Sequence, residues 1–112
     1  MQPRYNLWIE IDGQVALSLW RVELLRAVAR DGSISAAAEA MGVPYRVAWQ
    51  KIHEMETRLG RKLVETQTGG PHGGGARLTP TAELYLEQFD RFAHDLDRFI
   101  VDSFSANFHL PD

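Results

Sequence analysis

The 112-residue chain is predicted to fold as one mainly α-helical domain with small β-hairpins. First, residues 32–52 show the pattern of two short helices separated by a glycine turn. Second, a pair of short strands with a glycine-rich tip follows at residues 62–79. Third, residues 79–104 form a long helix with a continuous apolar stripe. Together these patterns predict a winged helix-turn-helix with a long C-terminal dimerisation helix.

The N-terminal part of the chain is predicted to form a β-hairpin. Residues 5–11 alternate apolar with polar or aromatic side chains, which is the pattern of a half-buried strand. Asp12-Gly13 is a strong signal for a two-residue hairpin turn, and residues 14–17 form the returning strand. The side chains predicted to face the core are Leu7, Ile9 and Ile11.

A first helix is predicted from Leu19 to Arg30, with Ser18 as its N-cap and Asp31-Gly32 at its end. Its apolar residues recur at helical spacing. Those predicted to face inward are Val22, Leu24, Leu25, Val28 and Ala29.

The helix-turn-helix unit comes next. Ser33 or Ser35 can cap its first helix, and the alanines of residues 36–40 leave that helix slim enough for close packing. Gly42 can adopt the left-handed conformation that ends a helix, and Pro44 suits the first turn of the next one.

The second helix of the unit, the recognition helix, is predicted to run to Leu59 and to end at Gly60. A helix with one apolar and one polar, aromatic face is suited to lie in a DNA major groove. The apolar face carries Ala48, Ile52, Met55 and Leu59, and the outer face carries Tyr45, Arg46, Trp49, Gln50 and His53.

A wing follows the recognition helix. Residues 62–66 read as one strand, residues 68–76 as a mobile glycine-rich loop, and residues 77–79 as the returning strand. The domain is therefore predicted to cover residues 1–78, with a long helix at 79–104 and a loose tail at 105–112.

The long helix begins at Thr79-Pro80 and carries apolar residues at alternating spacings of three and four. The stripe covers either the domain's own core or a partner. A helix of about 25 residues spans about 37 Å, which exceeds what so small a domain can cover, so a homodimer interface is favoured. The predicted interface residues are Tyr85, Phe89, Phe92, Leu96 and Phe99.

The charge is distributed unevenly along the chain, although the total is only −3. Residues 1–43 carry four basic and five acidic side chains. Residues 44–77 carry six basic and three acidic side chains, a local excess of +3. Residues 78–112 carry two basic and seven acidic side chains, a local −5. The positive charge therefore coincides with the recognition helix and the wing, which mildly favours binding to phosphate.

Several other classes of protein are disfavoured. The chain has no cysteine, which excludes disulfides and thiolate zinc sites, and no apolar run or signal pattern that predicts a membrane protein. A cytoplasmic protein is the default expectation. The glycine-rich loop lacks the Gly-Lys-Ser/Thr ending of a phosphate-binding loop, and the four histidines are scattered. Neither a cofactor, a metal nor an enzymatic activity is predicted.

Two strings carry a resemblance to a known family: GSISAAAEAMGVPYRVAWQKIHEME and LVETQTGGPHGGGARLTP. They resemble the N-terminal DNA-binding domain of the ModE-type molybdate-dependent regulators, which is similar in turn to that of LysR-type regulators. The match covers residues 7–97. It implies a winged helix that dimerises through its last helix and binds palindromic operators.

The chain departs from that family in two respects. Full-length members carry C-terminal molybdate-binding domains of the OB-like type, and these 112 residues end before such a domain. The resemblance therefore implies DNA binding and leaves the effector unknown. Pro44 stands where the family more often has serine, which removes a hydroxyl that can contact phosphate.

Arg46 is the strongest candidate for a base contact, because it lies in the first turn of the recognition helix and arginine can bond both guanine acceptors. Tyr45 can contact a phosphate or a thymine methyl. Trp49 either contacts DNA or fills the gap between the helix and the wing. The predicted DNA-binding residues are Ser33, Ser35, Pro44, Tyr45, Arg46, Trp49, Gln50, Lys51, His53 and Arg77.

Ser33 and Ser35 can donate to a phosphate or serve only as helix caps. Arg77 and the backbone of Gly73 to Gly75 can follow the DNA backbone or the minor groove, because glycine permits close approach, or they reflect only a flexible loop. The predicted wing residues are Gly69, Gly70, Gly73, Gly74 and Gly75.

The expected function is a homodimeric, sequence-specific transcription regulator that binds double-stranded DNA. Two alternatives remain open. One is a winged-helix protein-interaction module in which DNA binding is weak or lost, and the other is a regulator with a small ligand, such as an oxyanion, at its dimer interface.

Overall fold

The computed structural model describes residues 1–67 and 74–109, in which four helices accompany two antiparallel hairpins. This arrangement confirms the predicted fold class. None of the helices in the described ranges combines the length and the hydropathy of a membrane span. In chain order the elements are β1 (Trp8–Ile11), β2 (Gln14–Ser18), α1 (Leu19–Asp31), α2 (Ile34–Met41), α3 (Tyr45–Leu59), β3 (Val64–Gln67), β4 (Gly75–Leu78) and α4 (Pro80–Asn107).

The N-terminal hairpin turns at Asp12 and Gly13, whose φ angles of 52° and 78° are both left-handed, as a two-residue hairpin loop requires. β1 begins at Trp8, so the hairpin is shorter than the predicted strand from residue 5. A bulge between the two strands leaves one extra residue on β2. As a result the neighbouring residues Ala16 and Leu17 are both buried, which a regular strand does not allow.

The ends of α1, α2 and α3 depend on local hydrogen bonds and lie within one residue of the predicted positions. The Ser18 and Ser33 hydroxyls accept the N–H groups of residues 21 and 36 at 3.1 and 3.0 Å, so Ser33 rather than Ser35 caps α2. α1, α2 and α3 each end at a glycine in the left-handed region. Pro44 lies at the N-cap of α3, one position before the predicted one.

α1 lies at the centre of the domain and contacts all the other helices, β2 and β4. For this reason it buries a wider face than its apolar stripe predicts, extending to Ala27. The prediction that Ala29 faces inward was wrong, because Ala29 lies near the end of α1 on its exposed side.

The strands of the wing differ from the prediction. β3 begins at Val64, and β4 begins at Gly75, so Gly75 and Ala76 belong to a strand rather than to the loop. The Ala76 N–H donates to the carbonyl oxygen of Gly32 at 2.8 Å, which anchors β4 to the turn between α1 and α2. Residues 68–73 of the predicted loop lie outside the described residues.

α4 begins with Thr79 as N-cap and Pro80 at its first position, and it extends three residues beyond the predicted end at 104. The Asn107 side chain donates to the carbonyl and hydroxyl oxygens of Ser103 at 2.8 and 3.2 Å, which supports the last turn. Residues 105–107 are therefore helical rather than tail. The molecule measures 67 × 28 × 21 Å, because α4 projects beyond the rest of the domain.

Candidate nucleic-acid interface

α3 presents a polar face directly opposite the face that it buries. Its apolar residues, including Ile52 and Met55, lie in the core. Because successive residues are turned by about 100° around a helix, the outermost positions are Arg46, Gln50 and Thr57. Thr57 is exposed and shares this face, although the sequence patterns did not identify it.

Arg46 is exposed in the first turn of α3. Within the described ranges no carboxylate lies within ion-pair distance of its guanidinium. Tyr45 beside it is 53% exposed. These two side chains are therefore available to an external partner.

A cleft of about 330 Å³ separates α3 from the base of the wing. One wall is the N-terminal end of α2 and another is the side of α3, so the cleft brings three predicted contact regions together. Gly74 and Gly75 line it, whereas Gly69, Gly70 and Gly73 lie outside the described residues. The described lining residues are Ser33, Ile34, Ser35, Tyr45, Trp49, Thr66, Gln67, Gly74, Gly75 and Ala76.

Trp49 forms the wall of this cleft on the side of α3. It lies toward the wing, as one of its two predicted roles requires, and it is still 45% exposed. Its ring stacks on that of His53, with centroids 3.7 Å apart and planes at 24°. The His53 Nδ1 donates to the Trp49 carbonyl oxygen at 2.9 Å, so the two rings form a fixed pair.

A second groove, of about 320 Å³, lies on the other side of Trp49, between α3 and the tip of the N-terminal hairpin. Gln14 at that tip is exposed and faces the outward side of α3. No sequence signal connected the hairpin with the recognition helix, because their proximity is set by tertiary packing. The groove is lined by Gln14, Trp49, Gln50, His53, Glu54, Thr57 and Arg58.

Glu54 balances three cations beside α3. Its carboxylate accepts a hydrogen bond from Arg21 at 2.9 Å, and Lys51 and Arg58 lie 3.8 and 3.7 Å away. The hydrogen bond from Arg21 is the main reason that the pKa of Glu54 is lowered; the charges of the three cations add to this effect, while desolvation opposes it. Lys51 is thus partly neutralised, which weakens the prediction that it binds DNA.

Arg58 connects the hairpin to α3 by donating to the Val15 carbonyl oxygen at 2.6 Å. On the opposite side, the carboxylate of Glu56 accepts the N–H groups of Leu63 and Val64 at 2.8 and 3.2 Å and connects α3 to the wing. Neither contact was predicted, since each joins residues on different elements.

Arg77 lies on β4 directly opposite Glu65 on β3, and its Nε donates to that carboxylate at 3.1 Å. The side chain remains 70% exposed, so its charge faces solvent next to a negative partner. Gly75 is the wing position where close approach matters, because a Cβ there would lie 3.3 Å from the carbonyl oxygen of Gly32.

The apolar stripe of α4 changes in burial along its length. Phe89 is buried, with Tyr85 half-buried, so this half packs on the core. Toward the C-terminus Phe92 is 50% exposed and Phe99 is 69% exposed, while Leu96 is half-buried. The predicted interface residues therefore divide into a part that belongs to the domain and a part that no other described residue covers.

Residues 19–83 match the family described as bacterial regulatory helix-turn-helix protein, lysR family. The chain is 36% identical over 111 residues to the DNA-binding transcriptional dual regulator ModE of Escherichia coli K12, covering 99% of this chain and 42% of that protein. It is 36% identical over 93 residues to the transcriptional regulator ModE of Yersinia pestis, covering 83% of this chain and 35% of that protein.

The chain thus spans about two fifths or less of the length of these two relatives. Among solved structures, the crystal structure of the CbnR DBD–DNA complex is similar, with a TM-score of 0.62 and 24% sequence identity. The match covers 82% of this chain and all of that one. At this level of identity the likeness establishes the winged helix-turn-helix fold.

Proposed function

Because the chain belongs to the lysR family of bacterial regulatory helix-turn-helix proteins, we propose that it regulates transcription by binding a pseudo-palindromic operator as a homodimer. Two named relatives support this proposal. One is called a DNA-binding transcriptional dual regulator, and the similar CbnR fragment was crystallised with DNA. The proposal assigns no catalytic residue, and it places the protein in the cytoplasm, where bacterial DNA lies.

The observation that carries the proposal is one exposed surface built from three elements. The N-terminus of α2, the outward face of α3 and the base of the wing border a common cleft. A helix of this width fits the major groove, while a wing beside it meets the adjacent backbone. Arg46 and Tyr45 extend from the part of α3 that enters the groove first, so we assign Arg46 to base recognition and Tyr45 to a neighbouring contact.

The homodimer is supported by the C-terminal half of α4. Its exposed phenylalanines, Phe92 and Phe99, lie on the same face as the buried Phe89. A second copy of the chain can cover this face by pairing its own α4. The two recognition helices then lie about one helical turn of DNA, or a multiple of it, apart.

The test is selection of binding sites from random double-stranded DNA by the purified protein at two salt concentrations. We expect enrichment of a palindrome, with an affinity that falls steeply as salt rises, since phosphate contacts release counterions. The Arg46→Ala variant, selected in parallel, should enrich the palindrome less, because it lacks the side chain assigned to base recognition. Failure to enrich any sequence at low salt would contradict the proposal and favour a protein-interaction module.

A further inference from the structure

His53 carries an inference that rests on the proposed function and deepens it. Its ring lies on the outward side of α3, stacked on Trp49 with a centroid distance of 3.7 Å. Nδ1 lies 2.9 Å from the Trp49 carbonyl oxygen. A carbonyl oxygen only accepts hydrogen bonds, so Nδ1 must be the nitrogen that carries the proton.

The position of this proton determines the chemistry of the other ring nitrogen. In a neutral imidazole with its proton on Nδ1, Nε2 has a free lone pair and acts only as an acceptor. Nε2 lies at the end of the ring away from the backbone, and the stacked Trp49 holds the ring in place. Among the described residues no side chain donates to Nε2.

None of the side chains that line the groove around the ring donates to Nε2 in the described part of the chain, although some of them carry N–H or O–H donors, including Gln14, Gln50, Thr57 and Arg58. From the hairpin it presents Gln14, and from α3 it presents two charged side chains, Glu54 and Arg58. The Arg58 guanidinium lies 3.7 Å from the Glu54 carboxylate, which also accepts a hydrogen bond from Arg21. The charges of these side chains are therefore balanced within the protein. The lone pair of Nε2 therefore remains available to a donor from outside.

We propose that His53 determines sequence specificity by accepting a hydrogen bond at Nε2 from the exocyclic amino group of a base in the major groove. Adenine N6 and cytosine N4 are the donors that bases expose there. Guanine O6 and N7, thymine O4 and phosphate oxygens are acceptors, so each would place a lone pair against the lone pair of Nε2. One position in each half-site is consequently restricted to adenine or cytosine.

The experiment begins with site selection by the unaltered protein at pH 8. The selection is repeated with His53→Phe, which keeps an aromatic ring against Trp49 and removes the nitrogen. We expect the same palindrome, with the preference for adenine or cytosine lost at one symmetric position. The matched control is His94→Phe, which makes the same change on the exposed side of α4 and should leave the palindrome unchanged.

A second measurement needs no protein variant. At the identified position, adenine is replaced by purine riboside, or cytosine by 2-pyrimidinone, each of which lacks the amino group. Loss of one neutral hydrogen bond should weaken binding by the unaltered protein about threefold to tenfold, and binding by His53→Phe should not change. Circular dichroism confirms that the variants are folded.

The outcomes separate this inference from the proposed function. An enriched palindrome that tolerates removal of every amino group overturns the role of His53 and leaves the regulator intact. A uniform loss of affinity in His53→Phe, with a smaller salt dependence, identifies a phosphate contact and also overturns it. No enrichment by the unaltered protein overturns both proposals.

Discussion

Arg46 differs from the other cations on α3 in what surrounds it. Lys51 and Arg58 both lie within 4 Å of Glu54, and Arg21 is buried against the same carboxylate. Arg46 has no such partner in the described part of the chain and is exposed. The cations of α3 therefore differ in role: Lys51 and Arg58 pair with a carboxylate within the domain, whereas Arg46 is directed toward solvent.

Replacing Arg46 by alanine should weaken binding to the selected operator by about 1–3 kcal/mol, because a bidentate contact to guanine is lost. The melting temperature of the variant should be unchanged, since the Arg46 side chain is exposed and has no ion-pair partner among the described residues. Fluorescence anisotropy with a labelled operator measures the affinity. Arg91→Ala, which removes an exposed arginine from α4, is the control and should bind normally. An Arg46→Ala protein with unaltered affinity would remove this residue from the interface.

Replacing Glu54 by glutamine should lower the free energy of unfolding by about 1–3 kcal/mol at pH 7, because Arg21 loses the charge of its partner. The folded pKa of Glu54 is lowered, so its stabilisation is present above the unfolded value of about 4.3 and is lost as the pH falls through the folded value. Urea unfolding of the two proteins should therefore converge in acid.

Glu87→Gln is the matched control for Glu54→Gln, because it affects an exposed pair with Arg91 on α4. Exposed pairs contribute little, so this variant should match the unaltered protein at every pH. A difference between Glu54→Gln and the unaltered protein that persisted unchanged in acid would show that the charge of Glu54 is not the cause.

At the scale of elements, Thr79 joins the wing to α4. Its hydroxyl accepts the N–H of Ala82 at 3.1 Å and donates to the carbonyl oxygen of Lys62 at 2.8 Å. Its own N–H donates to the Leu63 carbonyl oxygen at 2.9 Å. The residue is 6% exposed, so its hydroxyl forms these hydrogen bonds shielded from solvent.

Thr79→Ala should lower the free energy of unfolding by about 1–2 kcal/mol, because the cap is lost and a carbonyl oxygen loses its donor. Thr79→Ser keeps the hydroxyl and should retain most of that stability. Chemical denaturation followed by circular dichroism compares the two. Equal destabilisation by both changes would indicate that the methyl group, and not the hydrogen bonds, is what matters.

The elements that were predictable from the sequence are those determined by neighbours along the chain. Ser18, Ser33 and the terminal glycines act within four residues, so their patterns identify the ends of α1, α2 and α3. The bulge in the N-terminal hairpin and the start of β4 were not predictable, because they depend on packing between distant segments. For the same reason the outer face of α3 was predicted, whereas the groove that it forms with Gln14 was not.

At the scale of the whole molecule, α4 is the element that the domain covers only in part. The side chain of Phe89 is 3% exposed, whereas that of Phe99, ten residues later, is 69% exposed. Arg26 on α1 forms hydrogen bonds with Asp90 and lowers the pKa of that carboxyl, while Tyr5 donates to Asp97 at 3.2 Å. These contacts fix α4 on one side and leave Phe92 and Phe99 exposed on another.

Phe99→Asp should convert the proposed dimer into a folded monomer, because a charge is placed where apolar surfaces meet. Light scattering should then give one chain mass of 12.7 kDa instead of two. Val101→Asp introduces the same charge at an exposed apolar residue on the opposite side of α4, and it should leave the dimer intact. A folded Phe99→Asp protein that stays dimeric would exclude this face as the interface.

The hydrogen bonds of Thr79 make α4 a lever whose pivot lies beside the end of the recognition helix. A helix of 28 residues is about 42 Å long, so a tilt of about 5° at the pivot moves its far end by about 4 Å. In the proposed dimer, the two domains are joined through their α4 helices. The angle at which the contact of Asp90 with α1 holds α4 would then determine the distance between the two recognition helices. Substitutions of Asp90 would therefore change the spacing between half-sites that the proposed dimer accepts, while the base sequence recognised within each half-site stays the same.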